Sequence, residues 1–184
     1  MFIQTEDTPN PATMKFLPGC DVLGNLAPID FAESAAATDR SPLAVALFAL
    51  EGVKGVFLGR DFITVTRDAG HDWPALKPAV LAAIMDHFVS ARPVLTEGAT
   101  AAIAETDDSD VVKQIREILD VKVRPAVAQD GGDITFQSFE DGVVYLHLKG
   151  SCAGCPSSTA TLKAGIENML KHYIPEVREV RQTR

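Results

Sequence analysis

The sequence predicts an α+β fold in two small domains, each mixing helix and strand. Short alternating apolar runs, typical of strands, stand beside runs with apolar residues at helical spacing in both halves of the chain. A small, acidic stretch without sustained periodicity separates the halves. At 184 residues the chain is long enough for two modest cores. We therefore expect a first domain over 1–90, an acidic linker over 91–109 and a second domain over 110–184.

The first domain begins with strand-like runs. Residues 2–6 and 13–17 lie on either side of the turn signal Pro9-Asn10-Pro11. Residues 56–58 and 62–66 predict a hairpin, because a short segment containing glycine joins them. These runs provide the strands of the first domain.

Two helices are expected in the same domain. Ser41 and Pro42 suit the cap and first turn of a helix over 43–50. Asp72 precedes a second helix that begins at Trp73. Its apolar residues recur at every fourth position: Leu76, Val80, Ile84 and Phe88. This spacing places them on one face, toward a core.

The second domain is predicted to begin with a helix. Ser109 is a good N-cap before a run of apolar residues at helical spacing over 111–119. Pro125 is expected to kink or split that helix, because proline has no N–H to donate. The pair Gly131-Gly132 is expected to end it.

The remainder of the second domain predicts the order α-β-β-α-β. Strands over 133–139 and 143–148 form a hairpin, with Gly142 where the turn needs a positive φ. A helix over 161–173 follows a cysteine-bearing loop, and a final strand is expected over 176–182. The cysteine loop therefore lies between the hairpin and the helix.

A cluster of small and acidic residues, Asp130-Gly-Gly-Asp133, allows two interpretations. It can shape a surface that contacts a partner, or it can stop a helix and lead into a strand. We favour the second interpretation, because glycine adopts the left-handed conformation that ends helices. Asp133 is then expected to pair locally, and Arg124 is a candidate partner for one of the two carboxylates, Asp130 or Asp133.

The charge is negative and unevenly distributed. The formal charge is −8, which argues against a nucleic-acid-binding protein, since such proteins carry a basic stripe. Residues 1–90 hold 6 basic and 11 acidic side chains, whereas residues 111–184 hold 10 and 9. The second domain is therefore close to neutral.

The sequence also limits the compartment. No apolar run reaches the ~20 residues that cross a bilayer, and the first residues contain no targeting signal. Three cysteines are too few for a disulfide framework. We therefore expect no membrane partner and a bacterial cytoplasmic location, with a processed mitochondrial form as the less favoured alternative.

The candidate site is the cysteine loop, Lys149-Gly-Ser-Cys-Ala-Gly-Cys-Pro-Ser-Ser158. Cys152 and Cys155 can bind one soft metal centre through their thiolates. Two ligands do not complete a four-thiolate site, and Cys20 lies far away along the chain. The count indicates a site completed by a second copy of the chain. A redox dithiol and half of a zinc site are alternatives, although His147 and His172 lack zinc-finger spacing.

The loop also predicts the chemistry of its thiols. Pro156 suits the first turn of a helix, which places Cys155 at the helix N-terminus and Cys152 just before it. Free amides and the helix dipole there favour the thiolate form. We therefore expect lowered thiol pKa values and sulfurs that point outward from an accessible loop.

Several of these motifs, in this order, resemble one known family. Val123-Arg-Pro, Asp130-Gly-Gly-Asp133, the cysteine loop and Thr161-Leu-Lys-Ala-Gly-Ile-Glu167 are similar to the C-terminal domain of NifU, also called the Nfu domain. Residues 2–19 resemble the N-terminal domain of Nfu-type proteins. Together the two resemblances cover the chain apart from the linker.

The resemblance implies a non-enzymatic iron–sulfur scaffold or carrier. Cys152 and Cys155 of two chains would hold a 4Fe-4S cluster, and the homodimer would pass it to apo-proteins after receiving it from a donor. A 2Fe-2S cluster also takes four thiolates, so ligand count does not decide the cluster type. The first domain would then recruit client or donor proteins. A thiol–disulfide oxidoreductase and a zinc-binding module are the competing hypotheses.

Overall fold

The computed structural model describes residues 2–96, 109–153 and 156–183, without the side chains of 156–158. These residues form two compact units, each with its own sheet and hydrophobic core. Both units combine helices with a sheet, antiparallel in the first unit and mixed in the second, which confirms the predicted α+β fold. The predicted linker stays a prediction, because 97–108 lie outside the described residues.

The first unit is built on a five-stranded antiparallel sheet. Its elements are β1 (Gln4–Asp7), β2 (Thr13–Leu17), β3 (Ile29–Phe31), α1 (Ser34–Ala37), α2 (Pro42–Phe48), β4 (Val53–Leu58), β5 (Ile63–Arg67) and α3 (Trp73–Val89). The strand order across the sheet is β1-β2-β5-β4-β3. The two ends of the sheet are therefore β1 and β3.

Local signals account for the helices of the first unit. The Ser41 hydroxyl accepts a hydrogen bond from the backbone N–H of Ala44 and caps α2, as predicted. Leu76, Val80 and Ile84 of α3 are buried in the core of this unit, and Phe88 is partly buried against it. The Ser41 hydroxyl also donates to the carbonyl of Val94 over 2.6 Å, so the chain just after α3 remains anchored to this unit.

The second unit follows the predicted order of helices and strands, with a π-helical turn in addition. Its elements are α4 (Asp110–Ile118), a π-helical turn (Leu119–Val123), α5 (Arg124–Gln129), β6 (Gly132–Glu140), β7 (Val143–Gly150), α6 (Pro156–Tyr173) and β8 (Glu179–Thr183). Pro125 is the second residue of α5, and the π-helical turn directly precedes that helix. The predicted split of the helix is confirmed by this π-helical turn. Its physical cause is the missing N–H of Pro125, which changes the hydrogen-bond register of the preceding turn.

The sheet of the second unit has the order β6-β7-β8. β6 and β7 form the predicted hairpin, and both Asp141 and Gly142 of its turn have positive φ. β8 runs parallel to β7, beside α6. The core between the sheet and the helices contains Ile115, Leu146 and Leu170, all buried. No helix among the described residues is long and apolar enough to cross a membrane.

Candidate functional site

The cysteine loop begins where β7 ends. Gly150 is the last residue of β7 and has φ of +62°, a conformation that favours glycine and turns the chain out of the sheet. Ser151, Cys152 and Ala153 follow, and α6 begins at Pro156. Cys155 lies outside the described residues, so its role as a ligand stays a prediction.

Hydrogen bonds attach the start of this loop to the turn between α5 and β6. The Ser151 N–H donates to the Gly131 carbonyl over 3.2 Å, and the Ser151 hydroxyl donates to the Asp130 carbonyl. On the other side, the Thr159 hydroxyl of α6 donates to the Cys152 carbonyl over 3.2 Å. The backbone around Cys152 is therefore fixed between two elements of the second unit.

Cys152 lies inside the second unit. Its exposed fraction is 7%, and it belongs to the hydrophobic core of this unit. The sulfur packs against the backbone of Gly132, where a Cβ atom would lie 2.7 Å from both Cys152 Sγ and the Lys149 carbonyl oxygen. Only glycine leaves room for the sulfur in this position. The sulfur thus points inward, contrary to the expected outward orientation.

Burial also reverses the expected acidity of this thiol. The pKa of Cys152 is raised to about 11, chiefly by desolvation; the Ser151 hydroxyl opposes the rise, and the negative charges of Asp130 and Asp133 add to it. The sequence predicted a lowered pKa from a nearby helix N-terminus. That prediction is wrong for Cys152, because removing the sulfur from water has the larger effect.

An ion pair supports the strand beneath the loop. The Asp133 carboxylate is 6% exposed, and Arg124 donates to both of its oxygens, from Nε over 2.8 Å and from Nη2 over 3.0 Å. Nη1 of Arg124 donates to Asp120 over 3.0 Å. The expectation that Arg124 pairs with a carboxylate of this cluster is confirmed, and the structure identifies Asp133 as the partner. These hydrogen bonds and charges raise the pKa of Arg124, so the guanidinium remains charged.

The turn at 130–132 has the predicted structural role. Gly131 has φ of +79° directly after α5, which ends the helix and leads into β6. The sequence analysis did not predict the contact of Gly132 with Cys152 or the hydrogen bond from Ser151 to Asp130. The sequence signal for the contact with Cys152 was the pair of adjacent glycines, because ending a helix requires only one of them.

The remaining candidate residues, Cys20, His147 and His172, differ from Cys152 in location or exposure. Cys20 is in the first unit and is exposed. His147 is half-buried on β7, whereas His172 is exposed and contacts the Tyr173 ring edge to face. Within the part of the chain that the structure describes, no group of three or more His, Cys, Asp or Glu side chains could hold a metal ion. That part contains only one thiol of the predicted pair.

The difference in exposure predicts a difference in reactivity between Cys20 and Cys152. In the apo-protein, iodoacetamide should modify Cys152 about tenfold more slowly than Cys20, because the reagent needs an accessible thiolate. Mass spectrometry of proteolytic peptides separates the two sites. In urea the two rates should become similar. Equal rates in the folded protein would contradict the buried position of Cys152.

Two family models match the chain. The model for the N-terminal region of scaffold protein Nfu/NifU matches residues 3–91, and the model for the NifU-like domain matches residues 115–181. The second match contains the cysteine loop and the turn beneath it. The chain belongs to the Nfu/NifU family of scaffold proteins.

Curated relatives agree with this assignment. Proteins named "NFU1 iron-sulfur cluster scaffold homolog, mitochondrial" from Drosophila sechellia and Drosophila simulans are each 53% identical over 99% of this chain. The chain spans 65% of the length of these relatives. A solution structure of a NifU-like protein from Saccharomyces cerevisiae is 24% identical, with a TM-score of 0.47, and the match covers 53% of this chain and 86% of that one.

These names correct the predicted location. The expectation of a bacterial cytoplasmic protein is wrong, because the relatives are named as mitochondrial proteins. The expectation depended on the absence of a targeting signal in the first residues. A chain that spans 65% of its relatives gives no such information at its first residue.

Proposed function

We propose that this chain is an iron–sulfur cluster carrier that holds a 4Fe-4S cluster between two copies and transfers it to apo-proteins. The observation that carries the proposal is the match of the NifU-like domain to residues 115–181, which include both cysteines of the loop. The curated relatives are named as iron–sulfur cluster scaffolds, and we extend that activity and their mitochondrial location to this chain.

The proposed ligands are Cys152 and Cys155. Thiolates are the usual ligands of iron–sulfur clusters, and four of them are needed. One chain provides two in the loop, so two copies complete the set. The clients are apo-proteins that offer competing ligands, and an upstream donor delivers the cluster. A 2Fe-2S cluster would use the same ligands and is the alternative that iron counting decides.

The packing of Cys152 adds a step to cluster loading. A thiol that is 7% exposed cannot bind a cluster shared with a second copy from its present position. The loop must therefore turn the sulfur outward and release its proton when the cluster binds. Before the cluster binds, the sulfur packs against Gly132, and the hydrogen bonds of Ser151 hold the adjacent backbone in place. In this buried state Cys152 is not an attacking thiol either, since attack needs an accessible thiolate, so an oxidoreductase would need the same movement of the loop.

Substitution of the cysteines tests the proposal. Cys152→Ser and Cys155→Ser should each abolish the reconstituted cluster and the cluster-dependent dimer, whereas Cys20→Ser should preserve both. Anaerobic reconstitution with iron and sulfide should give a broad absorption band near ~400 nm and about four irons per two chains. Size-exclusion chromatography with mass measurement reports the dimer.

Three other outcomes would overturn the proposal. Cluster retention in Cys155→Ser would remove the ligand assignment. A colourless protein that keeps zinc through anaerobic purification would favour the zinc-binding module. A reversible disulfide between Cys152 and Cys155, with no bound iron, would favour the oxidoreductase.

A further inference from the structure

The first unit contains a cavity that the cluster site does not use. Its volume is about 520 Å³, and it opens beside the first residue of β1. Gln4 and Leu17 line it, and these two residues are paired between β1 and β2. Their side chains therefore share one face of the sheet, opposite to that of the buried Phe16. Such a volume can accept a long side chain.

The cavity is lined by both apolar and acidic groups. Phe2 and Leu17 provide apolar surface, and Phe2 is 80% exposed. Asp21 and Asp61 contribute carboxylates, and neither forms an ion pair within the described part of the first unit. Arg60 is adjacent to Asp61 in the chain but does not line the cavity. The cavity thus offers negative charge above an apolar surface.

The cavity lies next to an open strand edge. β1 pairs with β2 on one side and is the last strand of the sheet on the other. An edge strand presents backbone N–H and C=O groups to which a further strand can bind. Since Gln4 both begins β1 and lines the cavity, a strand added along β1 would lie beside this end of the cavity, and its side chains on the face of Gln4 could lean into it.

We propose that this edge binds an extended segment of another protein and that a Lys or Arg side chain of that segment enters the cavity. The backbone of the segment pairs with β1, as in other complexes formed by strand addition. The cationic head lies near Asp21 and Asp61, while its aliphatic stem packs on Phe2 and Leu17. The acidic character of the first domain, with 11 acidic and 6 basic residues over 1–90, favours such a partner.

A second copy of the chain is a poorer occupant. β1 carries Asp7 and Glu6, of which Glu6 is paired with Lys15 over 3.2 Å, so two β1 strands would still bring the acidic Asp7 side chains and the carboxylates of two cavities to one interface. Like charges on neighbouring strands are destabilising. A basic segment avoids this repulsion and also satisfies the two free carboxylates of the cavity.

The proposal is independent of the cluster site, because it involves only residues of the first unit. Its failure would leave the assignment of Cys152 and Cys155 untouched. Conversely, a chain that binds no iron could still bind the segment. The peptide-binding experiment therefore tests the first unit alone, and the cluster reconstitution tests the cysteines alone.

A labelled peptide tests the proposal on the full chain. The probe is acetyl-Thr-Val-Thr-Lys-Thr-Val-Thr-amide, with a control peptide that has Glu in place of Lys. Fluorescence anisotropy should show saturable binding of the Lys peptide and none of the Glu peptide. The double variant Asp21→Asn/Asp61→Asn should weaken binding about fivefold to tenfold, as expected for two charge contacts at a partly exposed site.

A matched variant separates a local effect from a change in net charge. Glu33→Gln/Asp39→Asn removes the same charge near β3, at the opposite end of the sheet, and should leave the affinity unchanged. Bound Lys peptide should also slow alkylation of Cys20, which lines the cavity, and slow hydrogen exchange in β1. N-methylation of alternate peptide amides should abolish binding if the segment pairs with β1.

Three results would overturn the proposal. The first is the absence of saturable binding by the Lys peptide. The second is an equal loss of affinity in the Asp21/Asp61 and Glu33/Asp39 variants. The third is a concentration-dependent dimer of the apo-protein that protects β1 and excludes the peptide, which would make a second copy the occupant.

Discussion

Substituting alanine for Gly132 should destabilise the second unit by about 1–3 kcal/mol, the usual cost of overpacking a core. The new Cβ would lie 2.7 Å from Cys152 Sγ and 2.7 Å from the Lys149 carbonyl oxygen. Neither atom can move freely, since one is in the core and the other is part of the β6–β7 hairpin. Urea unfolding of the full chain measures the loss. Trp73, the only tryptophan, should report unchanged stability of the first unit.

Gly165→Ala is the matched control. Gly165 lies on α6, and a Cβ placed there would meet nothing within 4 Å. Alanine should stabilise that helix by about 0.5–1 kcal/mol, because it restricts the unfolded chain more than glycine does. A Gly132→Ala variant as stable as Gly165→Ala would show that Cys152 does not pack where the structure places it.

A double-mutant cycle isolates the sulfur from the carbonyl. In a Cys152→Ala background the Gly132→Ala substitution should cost less, because the contact with Sγ is absent while that with the Lys149 oxygen remains. We expect a coupling energy of about 0.5–2 kcal/mol, in the range for residues in direct contact. Strict additivity would assign the whole penalty to the carbonyl oxygen.

Local signals in the sequence were enough to predict most of the fold. Ser41 and Ser109 cap the helices that they were expected to cap, and Pro125 splits its helix. β3 and α1 were not predicted. β3 has three residues, too few for an alternating pattern, and α1 is a single turn without a side-chain cap. Both are formed by tertiary contacts, with β3 held along β4.

The site was predictable in residue type but not in position. The spacing of the cysteines and the pairing of Arg124 with Asp133 follow from local patterns and complementary charge. The burial of Cys152 depends on Gly132, twenty positions earlier in the chain, whose missing side chain creates the space for the sulfur. Sequence spacing contains no information about that space. The pKa of the thiol was consequently predicted in the wrong direction.

Removing the guanidinium of Arg124 should cost about 2–4 kcal/mol of stability in the second unit. In Arg124→Gln the Asp133 carboxylate, 6% exposed, would lose both hydrogen bonds from Arg124 and the opposing charge. Breaking a buried pair from one side is strongly destabilising, because a buried charge remains without compensation. The expected cost is below the roughly 3–5 kcal/mol typical of fully buried pairs, because the Arg124 side chain is 34% exposed.

The two members of this pair should differ in effect. Asp133→Asn should cost less than Arg124→Gln, since Arg124 would keep Asp120 and can reach water, whereas the Asp133 carboxylate cannot. Asp120→Asn is the control, because Asp120 is 59% exposed and its ion pair should contribute below about 1 kcal/mol. Urea unfolding of each variant gives the comparison.

Combining the two substitutions separates an uncompensated charge from lost packing. Arg124→Gln/Asp133→Asn should recover part of the stability that Arg124→Gln loses, since no buried carboxylate remains. Hydrogen exchange should then show which backbone depends on the pair. We expect faster exchange in β6 and in the loop at Ser151, because Asp133 fixes the strand whose preceding turn holds that loop. A double variant as unstable as Arg124→Gln, with unchanged exchange at Ser151, would instead assign the effect to lost packing of the Arg124 side chain rather than to an uncompensated charge on Asp133.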